Sequence, residues 1–155
     1  MLSSDIKAFF RAELISTRDQ YQKDLDAMTL EQMAVRPSGT ARSVLDITYE
    51  VSTLNRRFAG RIRRDDLPPF KMDGWMTAPD DFVAPSAALV ASMDEVISAW
   101  DATPEDEIQK PIPLANGSTT PMEMVHFAIS HTSYHDAQVN YIQSLLGDTS
   151  MHWVD

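Results

Sequence analysis

The chain has 155 residues, 43% hydrophobic and 23% charged, which is enough to bury a core without disulfides or a structural metal. Its 23 acids against 13 bases leave a net charge of −10, which argues against nucleic acid as a partner. There is no cysteine, which excludes a protein thiol as nucleophile, redox centre or metal ligand.

No apolar run approaches the roughly 20 residues that a membrane span requires. The N-terminal MLSSDIKAFFRAEL places charges where a signal peptide needs its apolar stretch. The expectation is a single domain over residues 1–155, cytoplasmic, with no membrane partner.

Taken in chain order, the first helical pattern runs through Ile6, Phe9, Phe10, Leu14, Tyr21, Leu25 and Met28 and ends before the turn RPSG at residues 36–39. A second helix begins near Ser43, where SVLD fits a capping box. Its apolar stripe is Val44, Ile47, Val51, Leu54, Phe58 and Ile62. The arginine-rich NRRFAGRIRR at its end is followed at once by Asp65 and Asp66, and reads as a solvated helix face.

Residues 65–85 hold too many prolines for regular structure. They form a long loop, either a functional lid or a surface loop pinned by aromatics such as Trp75. A third helix carries Leu89, Met93, Val96, Ile97 and Trp100. Asn116-Gly117 then signals a small two-stranded hairpin. The last helix opens at TPME, with Thr120 as N-cap and Pro121 at its first position, and stops at Gly147. Four amphipathic helices with one long proline-rich loop define an all-α four-helix bundle, a fold that builds sites from inward-pointing side chains.

On the last helix, Met124, Ala128, His131, His135, Gln138, Ile142 and Leu145 recur in alternating steps of four and three, the spacing of a core-facing seam. Both histidines and Gln138 thus occupy positions where apolar residues are expected. Residues four apart share a helix face, so the two imidazoles can converge on one ion. Glu50, between Ile47 and Leu54 on the second helix, is the candidate third ligand, because a lone buried carboxylate would take up a proton. Two histidines and a carboxylate suit zinc or nickel, and less well iron. Spacing alone leaves a second reading equally open, a metal-free core network of the same four residues.

Thr132 follows His131 where a zincin metalloprotease needs glutamate, so that class is set aside. Tyr134 and Asp136 flank His135. Each is either a supporting or proton-transfer group or, the better reading, part of the helix surface. His126 is too far round the helix to share the face, and His152 lies in the C-terminal tail.

RPSG ahead of the second helix, SVLDITYE within it, and HTSYHDAQ near the end together resemble the DinB/YfiT-like superfamily of bacterial four-helix-bundle proteins. HTSYHDAQ is similar to that family's closing H-x3-H-x2-Q motif, and the resemblance covers nearly the whole chain. It implies a divalent ion held by one residue of the second helix and two of the last, here Glu50, His131 and His135. Glu50 departs from the histidine usual at the first position. Gln138 would support the ligands, and the loop around Trp75 would form part of the pocket.

The chemistry the resemblance implies is metal-assisted transfer or hydrolysis on a small molecule. Its most concrete form is transfer to or from a low-molecular-weight thiol, as in relatives that use bacillithiol or mycothiol, and the expected assembly is a homodimer. The alternative is a metal-free dimeric bundle that binds a small ligand or a protein. An iron-dependent oxygenase is a third reading, resting on the ligand set alone.

Overall fold

The computed structural model describes residues 3–71 and 73–153. Five helices and one hairpin occur among them: α1 (Ser3–Asp26), α2 (Leu30–Ala34), α3 (Val44–Ile62), α4 (Pro85–Ala102), β1 (Ile112–Leu114), β2 (Gly117–Thr119) and α5 (Pro121–Leu145). The four long helices form the bundle. Helices α1 and α3 each pack against both α4 and α5, while α4 and α5 touch only sparingly across a diagonal. The core between them is built from Leu14, Tyr21, Leu25, Val51, Met93, Trp100 and Val139, among others.

Local chemistry explains where these helices begin and end. Ser43 accepts from the Asp46 amide while the Asp46 carboxylate accepts from the Ser43 amide, so the expected capping box is formed in both directions. Thr120 caps α5 by accepting from the Glu123 amide. The Glu123 carboxylate accepts from the Thr119 hydroxyl instead of reaching back to the cap. At the other end, Gly147 adopts φ +95°, with Asp148 bonding back to Gln143 and Gly147 to Ser144, the two bonds of a Schellman stop. The α3 terminus uses the same pair of bonds, Asp65 to Gly60 and Arg64 to Arg61, but places Arg64 in the left-handed position at φ 62°. That guanidinium donates to the carbonyls of Lys110 and Pro111, contacts that favour the conformation despite its side chain.

Two expectations change. The first helical pattern is broken: α1 ends at Asp26, and Thr29 starts a separate short helix with its own capping box to Gln32. Phe9 points outward, 57% exposed. The hairpin forms, but its register pairs Leu114 with Gly117, so Ala115 and Asn116 make the turn and Gly117 starts the second strand.

The long loop lies along α3 and is pinned to it at several points. A side chain on Gly60 would collide with Leu67, whose methyl lies 2.8 Å from the position of the missing Cβ. Arg57 donates to the Pro68 carbonyl and stacks over Phe70, which meets Trp75 edge-on. The Ala78 amide donates to Asp46, and Phe82 packs against Tyr49.

Candidate metal centre

Glu50 on α3 and His131 and His135 on α5 meet at the seam between those two helices. Glu50 and His135 are buried, and His131 is nearly so. Glu50 Oε1 lies 3.6 Å from His131 Nε2 and 3.4 Å from His135 Nε2, and the two Nε2 atoms are 3.2 Å apart. Zinc ligands sit about 2.0–2.1 Å from the ion, so neighbouring donors of a tetrahedral site are about 3.3–3.4 Å apart. The three observed edges match that triangle, and every vertex is a lone-pair donor. The residues present therefore fit a divalent ion.

The electrostatics fit as well. Burial, then His135 and Arg42, pushes His131 down to about 4. Burial also lowers His135, with Arg42 adding to the shift and Gln138 opposing it. Both rings are neutral near pH 7, the form that ligates metal. His135 Nδ1 is 2.8 Å from Gln138 Oε1. An amide oxygen only accepts, so Nδ1 carries the proton and Nε2 presents its lone pair to the centre. His131 Nδ1 is buried and has no hydrogen-bond partner among the described residues. Glu50 gives its second oxygen, Oε2, to Arg42, leaving Oε1 toward the histidines.

The buried face of α5 is broader than the expected seam and extends one residue beyond it. Ala128, His135 and Ile142 of that seam are buried and are joined by Val125, Thr132, Asp136, Val139 and Gln143, whereas Gln138 is half-buried and Leu145 is 54% exposed. The histidines thus lie along one edge of the buried face, His135 within it and His131 at its rim. Beside them a cavity of about 930 Å³ opens between α5, the start of α3 and the segment before α3. Its walls include Val35, Pro37, Arg42, Ile47, Tyr134, Gln138, Tyr141, Ile142 and Leu145. Arg42 and Gln138 each hydrogen-bond a ligand residue, and the Tyr134 ring meets His135 edge-on. Tyr134 is thus an exposed surface residue that also walls the cavity. Trp75 packs on Phe70 and is not one of the residues lining it.

Asp136 is buried, contrary to its reading as helix surface, and faces away from the cavity toward Asp24 of α1. Burial, reinforced by Asp24, pushes Asp136 up to about 8. Asn140 donates to Asp24 Oδ2 and Gln143 to the Asp24 carbonyl. His126 is exposed, and His152 pairs with Asp148 in the tail. Sequence reasoning missed Arg42 and Asp24. Asp24 left a readable trace, an acid one helical step from Tyr21 and beside Leu25 on the apolar stripe of α1. Arg42 left none, since it precedes the N-cap and belongs to no helical repeat.

A helical bundle with a carboxylate and an H-x3-H pair converging between two of its helices defines a class of metal-site bundles. The family model of the DinB superfamily matches residues 13–139, and the chain belongs to that superfamily. Among solved structures, it is similar to a DinB-like protein from Bacillus subtilis (13% identity, TM-score 0.69, covering 91% of this chain and 94% of that one). It is also similar to a conserved protein from Enterococcus faecalis (17% identity, TM-score 0.74, 91% and 97%). At these identities the likenesses show the fold alone. No curated protein matches the chain. Among the described residues, no helix is long and apolar enough to cross a membrane.

Proposed function

We propose that the chain is a divalent-metal-dependent enzyme acting on a small molecule, with transfer to or from a low-molecular-weight thiol as its most concrete reaction and hydrolysis as the broader one. The observation that carries this reading is the triangle of donor atoms from Glu50, His131 and His135 beside an open cavity. Zinc or nickel suits this donor set best, iron less. Such an ion supplies Lewis acidity and favours the thiolate form of a coordinated thiol.

The chain's own residues do the rest. Gln138 fixes the tautomer and orientation of His135, Arg42 holds Glu50 in place, and the cavity wall receives the body of the substrate. With no cysteine in the sequence, the thiol comes from the cosubstrate. The reading carries a cytoplasmic homodimer with no nucleic-acid partner, in keeping with the net charge of −10.

One observation favours a second reading, a metal-free bundle that binds a ligand or partner: Arg42 already supplies Glu50 with a countercharge. The test separates the two. Untagged protein, loaded in turn with zinc, nickel and iron(II), is expected to retain about one ion per chain by elemental analysis. Glu50→Ala and His135→Ala are expected to lose it while keeping their helical circular dichroism. A chain that holds no ion under any loading sinks the enzyme reading.

A further inference from the structure

The cavity beside the metal centre has two unlike ends. At one end Arg42 and Gln138 touch the ligand residues. At the other, Tyr141, Leu145 and Val35 present apolar surface, and Tyr141 and Leu145 are 66% and 54% exposed. Single apolar side chains on a surface need no explanation, but several lining one concave site beside convergent polar groups have the character of a ligand pocket.

Charge decides which ligand. Without metal, Arg42 and Glu50 cancel and the imidazoles are neutral. A divalent ion, one carboxylate and one guanidinium leave about two net positive charges at this end of the cavity. Among the described residues Arg42 is the sole cation lining the cavity, and its side chain keeps 26% exposure while one nitrogen is committed to Glu50. The other guanidinium N–H groups have no hydrogen bond among the described residues, which leaves a planar fork suited to a carboxylate. In a chain with a net charge of −10, this is a local positive island with an apolar wall behind it.

We infer that the cavity takes an amphipathic carboxylate, its anionic head at Arg42 and its aromatic or branched apolar body against Tyr141 and Leu145. This deepens the enzyme reading and rests on it, since the positive charge depends on the bound ion. It defines the substrate or cosubstrate class as a small organic acid with an apolar tail.

The test titrates zinc-loaded full-length protein by calorimetry with 4-phenylbutyrate, 4-phenylbutyramide and acetate, and counts metal per chain on the same sample. The acid is expected to bind about tenfold tighter than the amide, which lacks the charge, and than acetate, which lacks the body. Tyr141→Ala truncates an exposed side chain away from the ligands. It is expected to weaken phenylbutyrate about fivefold and leave both acetate binding and metal content unchanged.

A loaded sample that binds acid and amide alike, or a Tyr141→Ala protein that binds the acid as the wild type does, overturns the inference and leaves the metal reading standing. A preference that survives complete chelation overturns the charge argument. A chain that retains no metal and shows no preference overturns both readings.

Discussion

Helix α5 carries two buried polar clusters at adjacent residues, and they satisfy their charges in different ways. On its flank, His135 and His131 join Glu50 of α3, with Arg42 behind the carboxylate and a cavity beside it. On its core face, Asp136 meets Asp24 of α1, with Asn140 and Gln143 donating to Asp24. The first cluster gathers lone pairs of mixed type at one point. The second presses two carboxyl groups together, and burial beside Asp24 pushes Asp136 well above the ordinary carboxyl range, toward the protonated form. Two neutral imidazoles and a carboxylate with a free oxygen invite a cation, whereas two carboxyls in contact can share a proton. Burial alone therefore does not mark a site; what matters is whether the buried groups still have electron pairs to donate.

The largest effect expected in either cluster, short of removing a ligand, comes from Gln138→Ala. Among the described residues, the Gln138 amide is the one hydrogen-bond partner of His135 Nδ1, and losing an outer-shell partner of this kind typically costs 10–100-fold in metal affinity. Competition against a chelator of known affinity measures it, and Gln138→Glu, which keeps an acceptor, is expected to recover most of the loss. An unchanged affinity for Gln138→Ala would mean that the ring is held by packing alone. The matching change on the core face is Asp24→Ala. It leaves one N–H of the Asn140 amide without its acceptor, the other still donating to the Asp136 carbonyl, and is expected to cost about 1–3 kcal/mol in urea unfolding while leaving metal per chain unaltered. If Asp24→Ala also empties the metal site, the two clusters act as one network and the contrast between them fails.

Much of this arrangement was legible in the sequence, and the reasons differ by residue. Capping at Ser43 and Thr120 and the stop at Gly147 depend on chemistry within a few residues, so local sequence sufficed. Glu50, His131 and His135 were legible because a polar residue on an apolar stripe demands a partner. The exact face of α5 was not. Thr132 and Val139 have helical spacing as regular as that of His131 and Gln138, and adjacent stripes on one helix can be told apart only by what packs on them. Here α1 and α3 select the stripe through Val139 and turn Tyr134, Tyr141 and Leu145 outward. Arg42 was out of reach for a different reason. Its contact with Glu50 spans the turn before α3, and no periodicity connects the two.

A fourth buried carboxylate, Asp46, sharpens the contrast, because it sits one turn before Glu50 on the same helix and needs neither metal nor proton. Burial would raise it, but the amide of Ala78, the hydroxyl and amide of Ser43 and the charge of Arg36 outweigh burial and hold it below its ordinary 3.8. Asp46→Ala removes the capping box and the loop anchor together and is expected to cost about 1–2 kcal/mol near neutral pH. The pH dependence has a definite sign. Between the folded and unfolded pKa values the unfolded chain binds more protons, so stability rises with pH there. The contribution is complete above 3.8 and is lost as the pH falls through the lower, folded value. Urea unfolding at pH 7 and at pH 3 is therefore expected to show a gap between wild type and Asp46→Ala that narrows in acid. A gap of equal size at both values would mean that Asp46 acts through its packing, and that the donors around it are not what distinguishes it from Glu50.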